Sequence, residues 1–123
     1  TLSTLRQLKV MSCRMGLVTN TSRKAVDHYF SMHGLGDYFD VVVTREDVEK
    51  LKPDPEGVLL ALKRLQEKRF CLVGDLEHDA IAAEKAGGLS IIVNRDSSKV
   101  PKFHTDFVVK SLSEVPAIVH SIK

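Results

Sequence analysis

The chain reads as an α/β protein built on a parallel sheet with helices on its faces. Three observations predict this. Short, unbroken apolar runs recur at residues 15–19, 41–43, 70–74, 90–93 and 107–109. Runs of that length and composition suit strands buried on both faces. Between them lie longer stretches with apolar residues at three- and four-residue spacing, the period of a helix with one buried face. The two kinds alternate, as in βαβ units with right-handed crossovers.

Residues 2–11 carry Leu2, Leu5, Leu8 and Met11, a spacing that predicts an amphipathic helix capped by Ser3 or Thr4. Residues 15–19 (MGLVT) follow as the first strand. Asn20, Thr21 and Ser22 form a polar turn, and a helix runs from Arg23 to His33 with Ala25, Val26, Tyr29 and Phe30 on one face. Ser22 or Thr21 suits its N-cap, and Gly34 the left-handed position past its end. A strand, turn and helix in such close succession leave backbone N–H groups and a positive helix end at the strand tip. With the Thr19 hydroxyl beside them, they make an anion site or simply a capping turn.

Residues 37–40 read as a turn, 41–43 as the second strand and 44–48 as a short helical turn. Pro53 and Pro55 then stiffen the backbone. Asp54 is expected to cap the next helix and Pro55 to open it, with Val58, Leu59, Leu62 and Leu65 facing the core. Lys52 therefore sits on a rigid loop just before a helix. Most lysines are merely solvated, but placing a point charge for a ligand needs a rigid backbone such as this one.

Residues 70–88 (FCLVGDLEHDAIAAEKAGG) read as a buried strand ending at Gly74-Asp75, a turn, and a helix closing at Gly87 or Gly88. Asp75 lies at the strand tip and Asp79 at the helix start. Open α/β sheets bind ligands outside the carboxyl ends of their strands. Two carboxylates there suit Mg²⁺, which takes one or two carboxylates and keeps waters and phosphate oxygens as its other ligands. They equally suit a strand end and a helix N-terminus. Residues 94–101 read as a loop and 107–109 as a last strand. Ser113, Glu114 and Pro116 open a final helix that carries Val115, Ile118, Val119 and Ile122.

Composition narrows the function. With 123 residues, 43% hydrophobic and 28% charged, the chain is expected to form one α/β core domain over 1–123 with a real core. A net charge of +2, scattered basic residues and no stacking platform argue against nucleic acid. The apolar runs are too short to span a membrane, and no targeting leader is expected at the first residues. Cys13 and Cys71 lack zinc-type spacing, and Cys71, inside an apolar run, reads as a buried small hydrophobe. This points to a reducing, cytoplasmic setting.

Three strand tips or loops thus carry a consistent set: Thr19 and the amides after it for phosphate oxygens, Lys52 as a cation, and Asp75 and Asp79 for a metal. Phosphoryl transfer needs this equipment, since it rests on positioning and charge neutralisation. The sequence resembles the haloacid dehalogenase superfamily of hydrolases, in particular its phosphoglycolate-phosphatase-like members with a helical cap. GLVTNTSR is similar to that family's second motif and LKPDPEGV to its third. CLVGDLEHDAIAAEKAGG is similar to the fourth, GDxxxD followed by AAxxAG, and YFDVV at 38–42 and SLSEVP at 111–116 also match.

The resemblance covers nearly the whole chain. It implies a Rossmann-like three-layer sandwich with a mostly parallel sheet, and Mg²⁺-dependent hydrolysis of a small phosphorylated metabolite. It implies catalytic roles for Thr19, which bonds the phosphate beside the Asn20 backbone, and for Lys52, which stabilises the charge of nucleophile and phosphate. Asp75 would ligate the metal, and Asp79 would complete or orient its shell. His78 has no role in the pattern and reads as a solvated position.

The chain departs from the family at the first motif, DxDxT or DxDxS, whose first aspartate is the nucleophile. No two aspartates here are spaced i, i+2. In the family that motif strand is central, between those matching 15–19 and 70–74. The expectation is therefore the C-terminal part of the core, without the central strand or the cap. Two bare strand edges would be open to a strand from an N-terminal segment or another chain. Alone, the chain is expected not to turn over a phosphomonoester through an aspartyl-phosphate. A second reading is a non-catalytic fragment or pseudoenzyme, a binding or regulatory module that keeps the phosphate and metal groups. A third, weaker one is a flavodoxin-like receiver or nucleotide-binding domain. No acidic pair follows a first strand, however, and no Gly-rich dinucleotide loop is present.

Overall fold

The computed structural model describes residues 2–96 and 101–122. The elements run α1 (Leu2–Val10), β1 (Gly16–Val18), α2 (Arg23–His33), β2 (Val41–Val43), α3 (Glu56–Leu65), β3 (Cys71–Gly74), α4 (Glu77–Lys85), β4 (Leu89–Val93), β5 (Phe107–Val109) and α5 (Val115–Ile122). Short 3₁₀ turns lie at Gly36–Tyr38, Arg45–Asp47 and Leu112–Glu114. The α/β alternation holds, and every strand pair is parallel. Of the loop expected over 94–101, residues 97–100 lie outside the described residues. No helix among the described residues is long and apolar enough to cross a membrane.

The strands fall into two pieces rather than one continuous sheet: β1 pairs with β2, and β3 with β4 and β5. No ladder joins β1 to β3. Burial follows this division. Val43 on β2 is 1% exposed and Ile91 on β4 is 0%, whereas Val73 on β3 is 39% exposed. Interior strands of a parallel sheet are covered on both faces, so the half-bare β3 marks an edge.

Each piece has its own core. Val41 and Val43 pack with Ala61 and Leu65 of α3. Ile91, Val93 and Val109 pack with Val115 of α5, joined by Leu8 of α1. Side chains alternate across a strand, so Ile92 points to the other face, where Ala82 and Ala83 of α4 are fully buried. The second piece thus has helices on both faces. From α1, Arg6 reaches the Tyr38 hydroxyl at 3.2 Å and Lys9 the Asp37 carbonyl at 2.9 Å, so this helix also spans the two pieces.

Local signals set most element ends. Ser22 accepts from the Ala25 N–H at 3.2 Å, and Gly34 closes α2 at φ 65°. Four expectations about the helices need correction. First, α1 begins at Leu2, ahead of the candidate caps, and Thr4 is buried inside it. Second, α3 begins at Glu56 with Pro55 as its flanking residue, although the Asp54 carboxylate still accepts the Glu56 N–H at 3.0 Å. Third, Leu59 is 48% exposed; the buried stripe is Gly57, Val58, Ala61 and Leu65. A Cβ on Gly57 would meet Val18 Cγ1 at 2.9 Å, so the glycine lets α3 lie against β1 on that face and turns Leu59 outward. Fourth, on α2 Val26 is buried, but Ala25 and Tyr29 are exposed.

Cys71 is half-buried rather than fully enclosed. Burial pushes its thiol up to about 11, and the nearby Asp106 charge adds to the shift. A raised folded value means that its contribution to stability is complete below the unfolded value and is lost as pH rises through about 11. At pH 8 Cys71 should alkylate far more slowly in the native chain than in urea. Equal rates in the two states would contradict this environment.

Candidate active site

The carboxyl ends of β1 and β3 face each other across the division between the two pieces. The Thr19 N–H continues the ladder to the Val43 carbonyl at 3.0 Å. Its hydroxyl accepts the Thr21 N–H at 3.2 Å and lies 2.9 Å from the Thr21 hydroxyl. This is a local hydroxyl turn. The Asn20 carboxamide grips the backbone of Lys52, accepting its N–H at 3.2 Å and donating to its carbonyl at 3.4 Å.

Held in this way, Lys52 sends its side chain between the strand tips. Nζ donates to the Val18 carbonyl at 3.0 Å and to Asp79 Oδ1 at 2.7 Å. The two side chains are 12% and 7% exposed. Asp79 Oδ2 accepts the N–H groups of Asp75 and Leu76, both at 3.2 Å. One carboxylate therefore joins the lysine to the turn after β3. Charge-assisted bonds of this kind are short and strong. A desolvated pair is not a source of stability in itself, but losing one partner leaves an uncompensated charge. Gly74 makes the arrangement possible, because a Cβ there would collide with the Asp79 carboxylate.

Asp75 differs from Asp79. Its side chain is exposed, at the mouth of an open groove of about 390 Å³ lined by Val73, Gly74, Asp75, Val93, Arg95 and Leu112. No three His, Cys, Asp or Glu side chains among the described residues form a ready-made metal cage. Mg²⁺ does not need one. An open carboxylate at a strand tip fits it, with Asp79 orienting the loop that carries Asp75.

Thr19, Asn20, Lys52 and Asp79 thus meet at one pair of strand tips, with Asp75 beside them. His78, expected to be solvated, is half-buried on the first turn of α4. Two parts of the arrangement had no sequence signal: the Val18 carbonyl, since any residue supplies one, and the side-chain grip of Asn20 on Lys52, 32 residues away.

A family model described as haloacid dehalogenase-like hydrolase matches residues 1–93. The pyrophosphatase PpaX of Bacillus cereus (strain B4264) is 32% identical over 124 residues, covering 97% of this chain and 57% of that protein. The PpaX of Bacillus velezensis is 34% identical over 118 residues, covering 91% and 54%. The crystal structure of a HAD phosphatase from Thermococcus onnurineus superposes with a TM-score of 0.87 at 30% identity, covering 97% of this chain and 56% of that one. The chain spans little more than half the length of these relatives. The family match takes in Thr19, Lys52, Asp75 and Asp79, and the chain belongs to the haloacid dehalogenase-like hydrolases.

Proposed function

We propose that residues 1–123 form the phosphate- and metal-binding part of the core of a Mg²⁺-dependent phosphatase acting on a small phosphorylated metabolite. The nucleophilic aspartate would come from a strand outside these residues, in an N-terminal segment or another chain. One observation supports this above the others: Lys52 and Asp79 form a desolvated ion pair at the tips of β1 and β3, two strands that no ladder joins. A strand laid between them would carry its own tip to that pair.

In this reading the Thr19 hydroxyl and the amides after it hold phosphate oxygens. Lys52 Nζ presents positive charge between phosphate and nucleophile. Asp79 holds Lys52 with one oxygen and the Asp75 and Leu76 amides with the other, so the cation and the metal arm keep a fixed separation. Asp75 would hold Mg²⁺, which neutralises phosphate charge and orients the group for displacement. The similar Bacillus proteins are named pyrophosphatases, which makes inorganic pyrophosphate the first substrate to test. The free thiols of Cys13 and Cys71 suit the cytoplasm.

The chain alone, with Mg²⁺, should bind inorganic phosphate saturably without releasing phosphate from pyrophosphate or an aryl phosphate. Multiple turnover that disappears in Lys52→Ala would overturn the assignment of the nucleophile to an outside strand. Asp75→Asn should weaken Mg²⁺ at least about tenfold while leaving the urea midpoint nearly unchanged, because Asp75 is exposed. Titration of Mg²⁺ against both proteins, followed by NMR, would read this. A second reading is a binding or regulatory module that keeps the phosphate and metal groups without the nucleophile. The coding sequence upstream of Thr1 separates the two: an in-frame apolar strand ending in DxDxT supports the phosphatase.

A further inference from the structure

The Thr19–Ser22 turn does not hold itself in place. On its outer side it is bonded to the 3₁₀ turn Arg45–Asp47 that follows β2. The Arg45 N–H donates to the Thr21 carbonyl at 3.0 Å. The Arg23 N–H donates to Glu46 Oε2 at 3.0 Å. The Arg23 guanidinium donates to the Val42 carbonyl at 3.1 Å and to Asp47 Oδ2 at 2.8 Å. Asp47 Oδ2 is the hub, since it also accepts the Thr44 N–H at 2.7 Å and the Thr44 hydroxyl at 3.0 Å. Thr44 is completely buried, while the Asp47 side chain is 22% exposed and that of Arg23 44%.

We infer that Asp47 is a positioning residue for the phosphate turn: it anchors Arg23 and caps the 3₁₀ turn whose Arg45 amide holds Thr21, and so sets where the Thr19 hydroxyl is presented. This rests on the phosphate role proposed above for Thr19. The same contacts hold the Arg23 guanidinium on the Val42 carbonyl and Asp47, although an arginine four residues after a phosphate-binding threonine would otherwise be an obvious ligand. The Asp47 carboxyl is held down to about 2, the Thr44 amide contributing most and Arg23 next. It is therefore ionised, and able to anchor Arg23, throughout the neutral range. The loop geometry thus depends on the Asp47 and Arg23 side chains, which bond each other and the strand-end backbone.

The test is a titration of the ¹⁵N-labelled 123-residue chain with inorganic phosphate in the presence of Mg²⁺, reading the amides of residues 19–22. Asp47→Ala should weaken phosphate at least about tenfold, with the amide shifts of α4 and β4 unmoved. Asp47→Asn, which keeps an acceptor for Thr44 but loses the charge facing Arg23, should fall between. Arg23→Ala leaves the Thr44 cap intact and should reproduce most of the loss, while Arg23→Lys should recover part of it. If Asp47→Ala does not fold, Arg23→Ala and its lysine counterpart decide the matter. Saturable binding in the wild type with unchanged affinity in Arg23→Ala and in any folded Asp47 variant would overturn the inference and leave the phosphate role of Thr19 standing. No saturable response in the wild type would overturn that role and this inference with it.

Discussion

Lys52→Ala is expected to lower stability by about 3–5 kcal/mol, the range for removing one partner of a buried ion pair. The effect should be large because the variant strands Asp79, which is 5% exposed, without its cation. Two amides remain on the carboxylate, so the aspartate keeps hydrogen bonds but not charge balance. Domains of this size are stable by only about 5–15 kcal/mol in all, so the loss is a substantial share. Asp79→Asn in the Lys52→Ala background should recover part of it by removing the stranded charge. Urea unfolding is the measurement, with a shifted midpoint at an unchanged slope. A Lys52→Ala midpoint within about 1 kcal/mol of wild type would mean that water reaches the pair and screens it as on a surface. Because Lys52 also bonds the Val18 carbonyl, the variant should loosen the tips of both strands, and phosphate binding should be lost with them.

Gly74→Ala is the second large effect, and it tests the same node from the opposite side. The backbone at Gly74 is not in the left-handed region, unlike Gly87 at φ +85°. Any cost at Gly74 is therefore contact and not backbone strain. The new methyl would lie on the Asp79 carboxylate, which is enclosed and has nowhere to go without leaving Lys52 or the two amides. Overpacking of this kind typically costs about 1–3 kcal/mol, and breaking the charge-assisted bonds adds to it. At Gly87 a Cβ meets nothing within 4 Å, so Gly87→Ala should show only the backbone penalty, about 1 kcal/mol. The double-mutant cycle is diagnostic. Asp79→Ala should cost clearly less in the Gly74→Ala background than in the wild type, since the collision disappears with the carboxylate. Strict additivity would mean that the methyl finds room elsewhere.

Both variants concern a node that the sequence shows only in part. Thr19, Lys52, Asp75 and Asp79 were recognisable as chemistry-bearing residues because each stands where an apolar run or a rigid loop ends. The cap at Ser22 and the left-handed Gly34 were equally legible, since capping depends on residues within a few positions of the helix end. Leu59 was misplaced because the 3.6-residue period defines a stripe but not which edge of it meets the sheet. Gly57, by allowing close approach to Val18, decided that. The different burial of the two aspartates was also invisible: each stands at the end or start of an element, while the fold buries Asp79 and exposes Asp75.

The sequence by itself determined the α/β alternation, the parallel strands and the identity of the residues at their tips. Those properties follow from apolar spacing over two to four positions and from capping chemistry, both local. Only the tertiary structure decided that Lys52 meets Asp79 and the Val18 carbonyl, partners 27 and 34 residues away. It also decided that Asp47 reaches back to Arg23. Such contacts depend on how the crossovers bring distant strand ends together and on backbone atoms that every residue carries alike, so no spacing along the chain encodes them.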